Sequence, residues 1–290
     1  MSSSSRQKSL FGAPDAFATE MSKLVNSSEL SDLQFVLGED RHLIYAHRCI
    51  LAARCEVFRA MFAERSASDD MPFVLSDVQP ITFIMMLEFI YTNRCLPTLE
   101  QAVDLLSTAV EYGLPELVKV CIRFMTDRLT VENACEYVQA ALVYELTDLQ
   151  STCKQFIESH TAVVFQSRGF HELSEETMIF VLKCNGLQLD EGEVLKHVKE
   201  WASVNSVVTG ESLGETCRNV IEHVRFPLLD PDELKVIEKE NEKKKYIPVR
   251  LISAAWRFHA TKHAVPGDPQ VTVRSGTLRR PSLQPLGHGL

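Results

Sequence analysis

The segment ITFIMMLEFIY, residues 81–91, is apolar nearly all the way round a helix. A helix without a polar side has no face to offer water, so the remainder of the chain must enclose it as a central element. It is also too short to span a bilayer, which takes roughly 18 consecutive apolar residues, and no other part of the sequence approaches that length. Met85 and Met86 lie in this run. A methionine stripe can serve as an adaptable binding surface, but in a helix with no polar face it reads as core packing.

What covers that helix is written on either side of it. Upstream, residues 31–62 read SDLQFVLGEDRHLIYAHRCILAARCEVFRAMF. Leu33, Phe35 and Leu37 alternate with Gln34 and Val36, Gly38-Glu39-Asp40 supplies turn chemistry, and residues 42–46 resume a β-like run, which together predict a hairpin. Ile50, Leu51, Arg54, Val57, Phe58, Met61 and Phe62 then repeat at helical spacing, with the Arg54 stem beside the apolar stripe. Residues 65–70 are polar and loop-like, and PFVL, residues 72–75, is expected as a third strand. Downstream, Gly113 and Pro115 punctuate two further helices, residues 102–112 and 114–128. The first part of the chain is therefore expected to be an α+β unit, a small sheet wrapped by helices.

After residue 128 the strand-like periods stop. Thr130 is expected to cap a helix carrying Ala134, Val138, Ala141 and Leu142, and Leu149, Cys153, Phe156 and Ile157 continue the helical period. More helices are expected at 178–182, 194–201 and 249–259, with Pro227 and Pro231 interrupting helicity and an Asp restarting it. The mixed-charge run EKENEKKKY, residues 238–246, reads as a solvated surface. Residues 1–14 and 263–290 lack an apolar period, the latter being rich in Pro, Gly and Ser, and both are expected to be disordered.

Composition narrows the function. At 290 residues and 45% hydrophobic content the chain can fill a sizeable core. A net charge of -9 argues against a phosphate-backbone binder, so no nucleic-acid partner is expected. The first thirty residues hold no uninterrupted apolar stretch of the kind secretion uses, which predicts an intracellular protein with no membrane partner. The sequon Asn26-Ser27-Ser28 is then a chance match. None of the eight cysteines forms a C-x-x-C pair; Cys49, Cys55, Cys121, Cys135 and Cys153 fall in apolar helical patterns and are expected to be small buried hydrophobes. Cys153 with His160 and Cys217 with His223 lack the further ligands of a structural zinc, and no metal or cofactor is expected. His47, at a strand-to-helix junction, reads as a packed histidine rather than a general base. Without a nucleophile, base and orienter in one pattern, no catalytic residue and no enzyme is expected.

Four collinear blocks, SDLQFVLG, AHRCILAARCEVFRAMF, VQPITFIMMLEFIYTN and AVDLLSTAVEYGLPELVKVCIRFM, resemble the successive parts of a BTB (POZ) domain across residues 20–128. Four later ones, LTVENACEYVQAALVYELTDLQSTCKQFIESH, LQLDEGEVLKHVKEWA, VRFPLLDPDEL and LISAAWRFHA, are similar to the BACK domain that follows BTB domains in many adaptors. The resemblance implies a BTB/POZ domain at 15–128, an all-α BACK-like domain at 129–262, and a protein whose business is recognition of other chains.

It also implies partners and sites. BTB domains form homodimers in which the segment matching residues 15–25 packs across a twofold axis. Phe17, Met21, Leu24 and Val25, at helix-like spacing, are thus the expected apolar part of an isologous contact of more than about 1,000 Å². Asp32 and Arg48 match a charged pair in a pocket near that interface, expected to be buried. Many BTB–BACK proteins link a cullin-3 type ubiquitin ligase to a substrate, using a hydrophobic-x-Glu motif after the block FRAMF. Here the one such triplet, Phe62-Ala63-Glu64, lies several residues early, and small and acidic residues fill 67–70, so cullin binding is expected to be weak or conditional. The alternative is a dimeric scaffold or assembly protein, nuclear and repressive, that recruits no ligase. The adaptor reading implies a cytoplasmic protein. Neither Kelch repeats nor zinc fingers are found, so substrate capture is expected on the BTB or BACK surface, the tail, or a partner. Ser282, following Arg279-Arg280-Pro281, is a candidate phosphosite.

Overall fold

The structure, a computed structural model, describes residues 12–64, 71–262 and 268–277. The chain divides into two compact units, Met1–Arg128 and Leu129–Leu290.

The first unit contains helix α1 (Pro14–Ser22), strands β1 (Leu33–Leu37) and β2 (His42–Ala46), helices α2 (Arg48–Arg54) and α3 (Glu56–Ala63), strand β3 (Phe73–Leu75), and helices α4 (Pro80–Thr92), α5 (Ala102–Glu111) and α6 (Pro115–Asp127). β1 is the middle strand. It pairs antiparallel with β2, Phe35 opposite Ile44, and parallel with β3, Phe35 opposite Phe73. The hairpin turns through Gly38 at φ +67° and Arg41 at φ +54°, a left-handed bend that matches the twist of the strands it joins. Gly38→Ala places a side chain in that left-handed conformation and is expected to lower stability by about 1 kcal/mol, read as the shift in a urea unfolding curve.

Side chains from sheet and helices meet in an aromatic cluster. The Phe35 ring lies 4.9 Å from Phe83 of α4 and 5.7 Å from both Phe58 of α3 and Phe73 of β3, and Tyr112 closes on Phe58 at 5.0 Å. α4 is buried from Thr82 to Thr92 at most positions, Met85 and Met86 included. This is the enclosure that an all-apolar helix requires. α4 stops where Asn93 adopts a left-handed conformation and bonds back to the Phe89 carbonyl.

Two local readings are corrected. The helical period of residues 50–62 belongs to two helices, because Cys55 is extended and separates α2 from α3. Periodicity does not reveal the break, since Leu51 and Phe58, seven apart, share a face whether or not the helix is continuous. Cys49 is exposed rather than buried. It is two residues from the buried Leu51, and that spacing puts the two on opposite sides of α2.

The second unit is helical: α7 (Ala134–Val143), α8 (Thr147–Ser159), α9 (Thr161–Phe165), α10 (Arg168–His171), α11 (Glu175–Leu182), α12 (Glu191–Thr209), α13 (Leu213–Thr216), α14 (Pro231–Lys244) and α15 (Val249–Thr261). Short 3₁₀ turns occupy Val220–His223, Phe226–Leu228 and Pro269–Val271. Asp230 restarts helicity as expected, in a capping box with Glu233. Thr130 is not the cap of α7. Asn133 holds that position, and its Oδ1 accepts a 2.8 Å bond from the Thr130 amide, so the threonine lies in the preceding turn.

The expectation of disorder beyond residue 262 is corrected for residues 268–277, which pack against this unit and fully bury Arg274. No apolar period announces them, because polar bonds rather than a greasy face hold them. Residues 1–11, 263–267 and 278–290 lie outside the described residues, whereas residues 12 and 13 are exposed and Pro14 already begins α1.

Two histidines make this unit sensitive to acid. Burial lowers the pKa of His223, with help from Lys183 and Arg274 against the opposing Glu222, and burial also lowers that of His259, with Lys262 helping and Asp230 opposing. The fold therefore favours the neutral form of each. Above the ordinary value of 6.5 neither state binds the proton. Below it the unfolded chain protonates first, so stability falls with pH through that value towards the folded pKa. The urea midpoint is expected to drop between about pH 7.5 and about pH 5.5, and His223→Gln with His259→Gln to reduce that drop.

Candidate functional site

The strongest apolar surface expected for recognition begins at α1. Ala18 is its buried residue, turned onto α4, and Arg94 ties the helix down through Asp15 at 3.5 Å and the Thr19 hydroxyl at 3.3 Å. The flank of the helix beside Ala18 is left uncovered at Phe17. Phe17 is 64% exposed, while Met21, Leu24 and Val25 are half-buried. The helix ends at Ser22 rather than continuing to Val25, so Leu24 and Val25 belong to the turns that follow it. A docked helix that shows a phenylalanine to water beside its buried position is suited to being covered by another chain.

Asp32 and Arg48 are brought together, but through main-chain atoms. The Arg48 amide donates to Asp32 Oδ1 at 2.8 Å, and Arg48 Nε donates to the Asp32 carbonyl at 3.3 Å. Asp32 thus satisfies an amide in the first turn of α2, one that His47 at the cap position leaves free. Asp32 is exposed and Arg48 half-buried. In the chain by itself the expected burial is not seen, and a second copy would have to supply it. Ser31, Gln34 and Met71 join the pair around a cleft of about 200 Å³. Asp32→Ala is expected to cost about 1 kcal/mol through the lost cap, and Asp32→Asn much less because its amide oxygen still accepts. Thermal melts of the two variants distinguish them.

The halves of the Phe62-Ala63-Glu64 triplet are placed differently. Phe62 is half-buried, stacked on Phe58 at 5.9 Å and against Phe73 at 5.7 Å, with the Arg48 guanidinium 5.4 Å above its ring. Glu64 is exposed at the end of α3. An aromatic ring engaged on several sides is a poor protruding anchor. Residues 67–70 and Ser282 lie outside the described residues.

Of the groups weighed for chemistry, His160 is exposed, whereas His47 and most of the cysteines are packed. His47 is buried, its Nδ1 3.0 Å from the Tyr91 hydroxyl and its Nε2 3.1 Å from the Glu29 carbonyl. Burial pushes the Tyr91 phenol up to about 12. It likewise pushes Cys121, Cys135 and Cys153 up to about 12, and Cys95, Cys184 and Cys217 to about 11, so these thiols stay protonated near neutrality. Among the described residues no three His, Cys, Asp or Glu side chains gather as a metal would require, and no helix is long and apolar enough to cross a membrane.

One polar constellation escaped the sequence reasoning. Glu191, at the start of α12, and Arg274 form an ion pair in which both side chains are 0% exposed, and Arg225 lies beside them. No local pattern signals it, because the pair joins positions 83 residues apart.

Comparison with known proteins places this geometry. Residues 21–129 match the model of the BTB/POZ domain family, and residues 134–238 match the family described as BTB And C-terminal Kelch. The chain is similar to BTB/POZ domain-containing protein 19 of Bos taurus, 39% identical over 272 residues that cover 93% of each chain. It is also similar to that of Homo sapiens, 38% identical over 272 residues with the same coverage. BTB/POZ domain-containing protein 9 of Drosophila melanogaster is 28% identical over 260 residues, 83% of this chain and 34% of that protein.

Proposed function

We propose, since this chain belongs to the BTB/POZ–BACK family, that it is a non-enzymatic adaptor that homodimerises through its first unit and binds a cullin-3 type ligase weakly or conditionally. Domains of this family are protein-interaction modules, and that much holds for the chain as a whole. The observation that carries the dimer is α1, held to α4 and Arg94 with Phe17 exposed. A helix of nine residues is not stable alone in water. Its inner side is already docked, so a second copy is what remains to cover the outer one. Sedimentation should give a dimer at micromolar concentration; a monomer there would sink the reading.

The weak cullin contact is supported by Phe62, whose ring is engaged within the unit instead of standing out from it. A missing central anchor typically costs about 2 kcal/mol or more, at least about tenfold in affinity. Helices α7 and α8 resemble a second contact surface of adaptors and would offset part of the loss. Calorimetry of the full chain against the cullin-3 amino-terminal domain is expected to give a dissociation constant in the micromolar range, about -8 kcal/mol. A low-nanomolar value would show that the anchor is present after all. No heat at tens of micromolar would favour the second reading, a dimeric scaffold that recruits no ligase, which the engaged Phe62 also suits. The adaptor reading places the protein in the cytoplasm, and the scaffold reading allows the nucleus.

A further inference from the structure

Residues 268–277 are held to the second unit in the manner of a bound peptide. Arg274 enters a fully buried site, where its Nε donates to Glu191 Oε1, its Nη1 donates to the carbonyls of Leu182 and Cys184 at 2.7 Å each, and its Nη2 donates to the His223 carbonyl at 3.2 Å. Acceptors from three separate stretches of chain converge on one guanidinium, which is the fixed fork of donors that a lysine cannot reproduce. The next two residues bond through their backbone, Ser275 N–H to the Asn185 carbonyl at 3.0 Å and Gly276 N–H to the Leu187 carbonyl at 2.9 Å. Gly276 sits so close to the Leu189 backbone that a Cβ would lie 2.3 Å from its carbonyl oxygen. Glycine is therefore the residue that fits. Arg225 closes over the entering segment, donating to the Thr272 carbonyl and to Asn185 Oδ1 at 2.6 Å each.

Three features separate this segment from an ordinary core element. The receiving residues, Leu182 to Arg225, lie inside the stretch 134–238 that matches the BACK family, and the segment lies beyond it. Between its anchors the segment stays at the surface, with Val273 36% exposed and Ser275 half-buried. Clefts of about 530 Å³ and 380 Å³ flank it, the larger between α15 and the turn Pro269–Val271. Its recognition is concentrated in an arginine and a glycine two positions later.

We propose that the second unit carries a peptide-binding site selective for segments with arginine followed two residues on by glycine, with residues 268–277 as its resident ligand. A partner presenting an unstructured stretch of that pattern competes for the site. The backbone bonds of Ser275 and Gly276 give affinity to any chain that follows the same path, and the buried carboxylate of Glu191 with the closed space at Gly276 gives selectivity. The site needs neither the dimer nor the cullin, so its failure would leave the adaptor reading standing.

The test uses the full chain with a protease site placed between residues 262 and 268. After cleavage, a fluorescent peptide of residues 268–277 is added and its anisotropy followed, with circular dichroism recording the fold. The cut protein is expected to exchange its own segment for the labelled peptide, and the uncut protein to take up little, because its tethered segment fills the site. Peptides carrying Arg274→Ala or Gly276→Val should bind at least about a hundredfold more weakly, and Arg274→Lys at least about tenfold. Glu191→Gln in the cut protein should weaken the unaltered peptide likewise. Equal binding of all the peptides, or no uptake by a folded cut protein, overturns the proposal. So does unfolding on cleavage, which would make the segment part of the fold instead of a ligand.

Discussion

If the proposed dimer forms through α1, Phe17→Asp is expected to leave the protein monomeric at micromolar concentration. The ring is 64% exposed in the single chain, so the substitution costs the isolated fold little. Asp15 and Thr19 still hold α1 to Arg94, and Ala18 still faces α4. In a twofold interface every residue counts twice, so one substitution removes two anchors and buries two unpaired carboxylates. An anchor loss of about 2 kcal/mol in each protomer sums to about 4 kcal/mol, roughly a thousandfold in the dissociation constant. Sedimentation across a concentration series measures that shift, with a thermal melt to show that the variant is folded. Phe17→Leu keeps an apolar side chain at the site and should stay dimeric. A variant that sediments like a dimeric wild type would overturn α1 as the contact.

Removing Glu191 should produce the largest loss of stability in the second unit. Glu191→Ala leaves the guanidinium of Arg274 buried without its carboxylate and strips the Arg225 amide of its acceptor at 3.0 Å. Breaking a fully buried pair from one side costs about 3 to 5 kcal/mol, because the remaining charge keeps its desolvation penalty. Arg274→Ala should cost a similar amount. The pair Glu191→Leu with Arg274→Met removes both charges together and should recover much of the loss. The protein has two tryptophans, Trp201 in α12 and Trp256 in α15, so tryptophan fluorescence in urea reports on this unit. Equal stability of Glu191→Ala and the wild type would show that water reaches the pair.

Structure that depends on near neighbours is legible in the chain. Leu33, Phe35 and Leu37 alternate in a buried strand, Gly38 turns the hairpin, and residues 81–91 form the enclosed α4. Each is a matter of a period of two, a period of 3.6, or one backbone angle. Helix boundaries at Cys55 and Asn133 are not legible, since both positions sit within a window whose pattern reads unbroken.

Of the candidate site, Phe17, Asp32, Arg48 and Phe62 were legible as residues of interest, but not their exposure. Phe17 and Phe62 are both phenylalanines on apolar helical faces. One stands in water and the other stacks between Phe58 and Phe73, a difference made by what folds back against each. Asp32 meets the Arg48 amide across sixteen residues of sequence.

By itself, then, the amino-acid sequence determined a small sheet around an apolar helix, followed by a helical array, because those features follow from local periodicity and from where Gly, Pro and Asp stand. Only the tertiary structure decided that the three residues of β3 pair parallel to β1, that Phe62 faces inward, and that a tail rich in Pro and Gly docks through Arg274. Glu191 and Arg274 are 83 residues apart. A pair at that distance leaves no period in the chain, and a buried arginine is stable only when the acceptors that surround it have already been assembled by the rest of the fold.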